Sequence, residues 1–483
     1  MKPKNLVVFM SDEHNPKILG CYGNQLVKTP NLDALAARGT TFTNAYCNSP
    51  ICIPARAIFA TGRHNYEVGY WDNADPYEGS VKSWHHRLRE SGHRVDAIGK
   101  LHFRSTEDDN GFTEEIIPLH VVDGIGDLLG LIRDDLPVRR GSSKMADLAG
   151  RGETSYTEYD RNITREALRW LEEEAPRHTD KPWVLFVTYV CPHFPLMAPP
   201  QFFDLYPLDQ VPWPKQYDEG ERPDHPYLRD YASCLTYDKF FDEEKVRVAI
   251  AAYYGLVSFL DDNIGKVIEG LRECGLMDAT RIMYTSDHGD NIGARGLWGK
   301  STMYEEAAGV PWIMAGEDIP EGTACDVPVT HVDAYPTVLE ACGVAANDED
   351  ASRQGASLFA IMEGATPERT ILSEYHAMAS KGGAFMIRNG KYKFVYYVLY
   401  RPQLFDLEAD PEELNDLAED PSFAAVLRDC ESKLRRICDP EEVDARCKAR
   451  QAELIERNGG RQVILERGDF GFSPVPGTKA DFR

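Results

Sequence analysis

The sequence predicts an α/β protein, with a mostly parallel central sheet flanked by helices and a smaller α+β subdomain at the C-terminus. Two observations predict it. Through about residue 370, short apolar runs alternate with longer amphipathic stretches, the pattern of a sheet whose strands are connected by helices. From Ile371 onward the segments become short and partly aromatic, with turn residues between them, the pattern of antiparallel hairpins.

Taken in order, Leu6–Met10 is a continuous apolar run ending at Ser11-Asp12. It reads as a buried parallel strand, because a strand covered on both faces has no polar alternation. Asn31–Arg38 has helical spacing, and Gly39 stops it. Trp84–Ser91 reads as a helix closed by Gly92, followed by a strand at Arg94–Ile98 that runs into Gly99-Lys100. A long amphipathic helix at Tyr159–Glu174 precedes a strand at Trp183–Tyr189. Ala249–Cys274 is helical again, and Arg281–Thr285 is the next strand. Residues 108–156, rich in Gly and charge, and 195–226, rich in Pro and aromatic residues, read as long loops. Near the end, Ala384–Ile387, Lys393–Tyr397 and Gln403–Asp406 read as strands, with Asn389-Gly390 as a hairpin turn. Charged helical segments follow from Pro411 to about Arg457. A boundary near residue 370 divides a large domain, 1–370, from a subdomain, 371–483.

Composition narrows the partners. The net charge is −25, from 53 Lys plus Arg against 78 Asp plus Glu, so the chain lacks the basic footprint that nucleic acid requires. An anionic ligand must then be held by local cations or a metal, against the field of the whole chain. The apolar run at the N-terminus is too short for a signal-peptide core, and no segment reaches membrane-spanning length. The eleven cysteines are scattered and odd in number, which reads as reduced thiols in a cytoplasmic protein.

Asp12, Lys100, His193 and Asp287 share a placement, each just past the end of an expected strand. Open α/β sheets bind ligands there, so these residues are expected to converge on one crevice. Carboxylates such as Asp12 and Asp287 suit a hard divalent cation. His288 adds a nitrogen, which suits Mn2+ better than Ca2+. A helix starting near Pro54 would place its positive N-terminal end at residue 52.

The run Cys52-Ile-Pro54-Ala-Arg56, trailed by Thr61-Gly62-Arg63, resembles the signature of the sulfatase family within the alkaline phosphatase superfamily. Gly99-Lys100-Leu-His102, Pro192-His193, Asp287-His288 and Gly299-Lys300 are similar to further motifs of that family. The resemblance implies that a formylglycine-generating enzyme oxidises Cys52 to formylglycine, whose hydrate is the nucleophile. By the same resemblance Arg56 neutralises and orients that hydrate, and Lys100 holds a sulfate oxygen. His102 takes a proton as sulfate leaves, His193 protonates the departing oxygen, and Lys300 bridges sulfate and leaving group. One divalent metal is implied on Asp12, Glu13, Cys52, Asp287 and His288, with Ca2+ expected and Mn2+ the alternative. Glu13 stands where the family carries Asp.

Tyr70-Trp71-Asp72-Asn73 and the stretch from Ser286 to Trp298 look like choline-sulfatase and its relatives, which puts Asn73 in the sulfate pocket. The implied activity is hydrolysis of a small sulfate monoester: an alkyl, choline-like or sugar sulfate. The alternative is a phosphonate monoester or phosphodiester hydrolase of the same superfamily. In choline-sulfatase-like enzymes a C-terminal tail reaches a neighbouring subunit, which implies a homo-oligomer and a role for the patternless segment Gly468–Arg483. Cys47 and Cys52 lack Cys-x-x-Cys spacing, which argues against thiol redox chemistry.

Overall fold

Strand Asn5–Asp12 sits near the middle of an eight-stranded sheet, and its residues alternate between two cores. Leu6, Val8 and Met10 join the core on one face, while Val7 and Phe9 join the core on the other. Successive side chains of a strand point to opposite faces, so a strand covered on both sides must be apolar throughout. The structure, a computed structural model, describes residues 2–365 and 368–482.

The sheet runs, edge to edge, Thr323–Cys325, Gly39–Phe42, Trp312–Ala315, Thr280–Ser286, Asn5–Asp12, Val184–Pro192, Val95–Lys100 and Glu114–Leu119. All neighbours pair in parallel except Trp312–Ala315, which is antiparallel to both of its neighbours. Helices Cys52–Thr61, Trp84–Glu90 and Ala334–Cys342 contribute to the core on one face. Pro30–Ala37, Ser155–Glu173 and Glu243–Glu273 cover the other.

Several sequence expectations change. Glu114–Leu119 is a strand within the stretch read as loop, and its charged start and Pro118 fit a sheet edge. Gly39–Phe42, Trp312–Ala315 and Thr323–Cys325 are further strands, each too short to stand out as a run.

The C-terminal sheet orders Thr370–Tyr375, Ala384–Asn389, Tyr392–Tyr397 and Tyr400–Asp406, all antiparallel. Asn389 pairs with Tyr392 across the ladder, so the hairpin loop is Gly390-Lys391, one residue later than expected. Helices Ala424–Ile437 and Pro440–Arg457 follow, whereas 411–423 contains no α-helix. Buried Lys393 pairs with Glu413 and Glu305, each at 2.8 Å, and so ties this sheet to the segment that follows Lys300. Among the described residues no helix is long and apolar enough to cross a membrane. All eleven cysteines are free.

Candidate active site

Cys52 is the first residue of helix Cys52–Thr61, every residue of which is buried. The preceding Ile51 offers no side-chain cap, so the first N–H groups need partners from elsewhere. Asn73, from a separate loop, supplies one: its Oδ1 accepts the Ile53 N–H at 3.2 Å. Pro54 fits in the first turn because no intrahelical N–H is required there. The helix start faces a cavity of about 120 Å³ lined by Glu13, Cys52, Asn73, Lys100, His102, His193 and Lys300.

Strand ends deliver the charged groups. Asp12 and Lys100 are the last residues of their strands, and His193 and Asp287 are the first residues beyond theirs. Gly99 lets the chain turn there, since its φ is +105° and a Cβ would lie 2.2 Å from the Thr188 carbonyl oxygen. Arg56, one turn into the helix, donates to Asp287 Oδ2 at 2.9 Å and to Asp12 Oδ2 at 3.2 Å. The remainder of its guanidinium reaches Thr188 Oγ1 at 2.8 Å and the Lys100 carbonyl. The Lys100 ammonium also contacts Asp12 Oδ2. Burial by itself would raise the Asp12 pKa. Lys100, then His193, Arg56 and Lys300, reverse that and hold its carboxyl well below the usual range.

With both Oδ2 atoms engaged by Arg56, the Oδ1 atoms of Asp12 and Asp287 turn the other way. They meet His288 Nε2 at 3.9 and 3.7 Å, and Cys52 Sγ lies 3.2 Å from that nitrogen. His288 Nδ1 lies 3.0 Å from the Gly289 carbonyl, which can only accept, so Nδ1 carries the proton and Nε2 presents its lone pair. These four buried donors all lie within 4.8 Å of one another, a set that fits a divalent cation.

On the other side of Cys52, Lys300 Nζ lies 3.1 Å from Sγ. Burial, and then Asp12, push the thiol up to about 12, so the unmodified side chain is a thiol at neutral pH. Burial opposes the Lys300 charge, but Cys52 (ionised only at the high pH where a lysine would titrate), Glu13 and Asp12 outweigh it and hold the ammonium well above its ordinary range. Burial, reinforced by Lys300, depresses His193 and keeps the imidazole neutral. Its Nδ1 donates to the Phe194 carbonyl at 2.6 Å. His102 is likewise neutral, through burial and then Lys100.

The expected residues therefore converge, and the contacts of three of them carry further detail. Glu13 lies outside the four-donor cluster but forms a second buried group of possible metal ligands with Asp12 and His193. At φ +71° it turns its carboxylate to Lys300 and to His193 Nε2, each at 3.4 Å. Burial pushes it up to about 7, against the pull of Lys300. Arg56 makes its hydrogen bonds with Asp12, Asp287, Thr188 and Lys100, and its charge also acts on Cys52. Asn73 lines the cavity and also caps the helix.

Sequence reasoning missed several contributors. Asp290 Oδ1 accepts the N–H groups of Ile292 and Gly299, and the Asn291 amide donates to the Gly299 carbonyl, so both residues fix the backbone that carries Lys300. The Asp287-His-Gly-Asp290-Asn291 run was visible, but the partner that it holds was not. Asp469–Ser473, from the tail expected to reach a neighbour, lines the cavity of its own chain.

An α/β sheet whose strand ends carry a cation-type donor cluster, two lysines and two histidines around one side chain defines a hydrolase of anionic esters. The chain belongs to the sulfatase family: residues 4–344 match Sulfatase, and residues 293–439 match N-sulphoglucosamine sulphohydrolase, C-terminal. It is a sulfuric ester hydrolase. Among its relatives, Choline-sulfatase of Rhizobium meliloti is 32% identical over 424 residues, covering 86% of this chain and 83% of that protein. Arylsulfatase K of Homo sapiens is 28% identical over 469 residues, covering 92% and 84%. The fold is shared with a phosphonate monoester hydrolase of Agrobacterium radiobacter at a TM-score of 0.73 and 22% identity, covering 92% of this chain and 96% of that one. It is also shared with a protein solved with its substrate D-glucosamine-2-N,6-O-disulfate, at a TM-score of 0.72 and 22% identity, covering 91% and 100%.

Proposed function

We propose that the enzyme hydrolyses a small sulfate monoester (alkyl, choline-like or sugar sulfate) through a formylglycine made from Cys52. The observation that carries this reading is the placement of Cys52 Sγ, 3.1 Å from Lys300 and 3.2 Å from His288, on the wall of the cavity. A buried thiol with its pKa pushed up to about 12 is a poor nucleophile, whereas the hydrate of an aldehyde offers oxygen at the same position.

Asp12, Asp287, His288 and residue 52 would hold one divalent cation, Ca2+ by family resemblance with Mn2+ as the alternative, while Glu13 serves Lys300 and His193. That cation supplies charge to the hydrate and to the sulfate oxygens. Lys100 and Lys300 hold the remaining sulfate oxygens. One hydroxyl of the hydrate attacks sulfur in line, its proton passing to Lys300 in place of the one that this ammonium gives to the departing oxygen, and the S–O bond to the alcohol breaks. The departing oxygen takes its proton from the ammonium of Lys300, or from His193 once a bound anion has raised its proton affinity. The second hydroxyl then gives its proton to neutral His102 and its electrons re-form the carbonyl, expelling sulfate. Water rehydrates the aldehyde.

The mass of the tryptic peptide containing residue 52 tests the first requirement, because an unmodified thiol in fully active enzyme rules the mechanism out. Turnover of choline sulfate, an aryl sulfate and a sugar sulfate ranks the substrates. A phosphodiester that outpaces all three overturns the assignment. Maturation would depend on a formylglycine-generating enzyme of the host, and because the tail lines the cavity of its own chain, the homo-oligomer rests on family resemblance alone and the mass in solution tests it.

A further inference from the structure

The C-terminal tail is seated by a set of specific contacts. Phe472 packs edge-on against Tyr156 and Phe194, with ring centroids 5.4 and 5.5 Å apart. The Tyr156 hydroxyl donates to the Ser473 carbonyl at 2.6 Å, which fixes the backbone of the next residue. Asp469 Oδ2 accepts the Gly141 N–H at 3.4 Å. Ser473 is buried, and its Oγ lies 2.8 Å from Nε2 of His102.

His102 itself is held unusually. Its φ is +57°, a left-handed conformation that costs a non-glycine residue energy and that clusters at functional sites. Its Nδ1 is buried and has no partner among the described residues. Only Ser473 therefore grips the ring, at Nε2. If the hydroxyl accepts Nε2–H, Nδ1 is left as a lone pair with no hydrogen-bond donor among the described residues, the state required to receive a proton. Once Nδ1 is protonated, the same hydroxyl still accepts Nε2–H, so one contact serves the ring in both states.

We propose that Ser473 is a positioning residue that sets the orientation and tautomer of His102 for the sulfate-releasing step. This inference rests on the role assigned above to His102. It also places the chain's own tail in the second half of the reaction, in addition to lining the cavity.

The test compares Ser473→Ala, Ser473→Thr, His102→Ala and the Ser473→Ala/His102→Ala double variant in the full-length matured enzyme. Losing one well-placed hydrogen bond is expected to lower kcat of Ser473→Ala roughly tenfold, with KM and Tm essentially unchanged. Because release is the step that slows, the peptide carrying residue 52 should retain sulfate at steady state in Ser473→Ala. Ser473→Thr, which keeps the hydroxyl, should restore kcat. The double variant should be no slower than His102→Ala alone, since residues acting through one another are not additive. Full kcat in Ser473→Ala, a loss confined to KM, or a further loss in the double variant overturns the inference while leaving the proposed function intact. If His102→Ala keeps full turnover, the role of His102 falls, and the inference with it.

Discussion

Arg56 donates through Nε to Asp287 Oδ2 at 2.9 Å, and through the same guanidinium to Asp12 Oδ2, so one cation inside the signature helix joins two strand ends. Both carboxylates are wholly buried. Two charges of one sign so close together in a low dielectric need a fixed counter-charge, and a planar guanidinium provides it in the right geometry. Arg56→Met should therefore lower stability by about 3–5 kcal/mol, as expected when one partner is removed from a buried ion cluster. Thermal unfolding with and without a divalent cation checks this. Excess cation should recover part of the loss, because it replaces the missing positive charge.

Lys300 lies beside both Cys52 and Glu13. Lys300→Met keeps the length of the side chain but removes the charge from the position where the sulfate and leaving-group oxygens are proposed to lie. Its kcat/KM should fall about 10²–10³-fold, the usual cost of losing one charge-stabilising donor. Steady-state kinetics with a sulfate ester measures it, and a loss below about tenfold would show that Lys300 is not part of the charge sink.

Removing divalent cation with a chelator should abolish turnover and lower Tm, and Ca2+ should restore both. Ligand linkage predicts about 2.7 kcal/mol of stabilisation at a hundredfold excess over Kd. Asp287→Asn should lose that cation-dependent gain, whereas Glu13→Gln should keep most of it, because the Glu13 carboxylate faces Lys300 and His193. Equal loss in the two variants would return Glu13 to the ligand set.

Asp72 carries a pH signature separate from catalysis. It is buried, and burial pushes its pKa up from the ordinary carboxylate value to about 7, although a hydrogen bond from Gln451 opposes the shift. A carboxyl that binds its proton more tightly in the folded chain contributes stability that is full at low pH, below its unfolded pKa. That contribution is lost as pH rises through about 7. Asp72→Asn, neutral at every pH, should flatten the stability profile between about pH 4 and 7. Denaturant midpoints across that range read it out, and an unchanged slope would place the Asp72 pKa near that of an exposed carboxyl.

Much of this was legible in the chain. The run Leu6–Met10 reads as a strand covered on both faces, and the same logic read the strands that precede Lys100, His193 and Asp287. Because polar residues follow apolar runs at those four places, the crevice could be read before any geometry existed. The signature around Cys52, a local pattern, carried the family. Short strands such as Trp312–Ala315 escaped because a few apolar residues show no period, and tertiary pairing alone makes them strands.

What sequence alone determined, then, is the class of fold, the family and the residue types around Cys52, since these follow from local periodicity and motif. Tertiary structure decided which atom faces which. Glu13 follows Asp12 directly, yet at a φ of +71° its carboxylate meets Lys300 and His193 rather than joining Cys52, Asp287 and His288. Arg56 is committed to carboxylates contributed by strands far away in the chain, and Ser473 meets His102 across 371 positions. Contacts at such separations leave no period in the sequence, because they depend on how the sheet, its loops and the tail pack together.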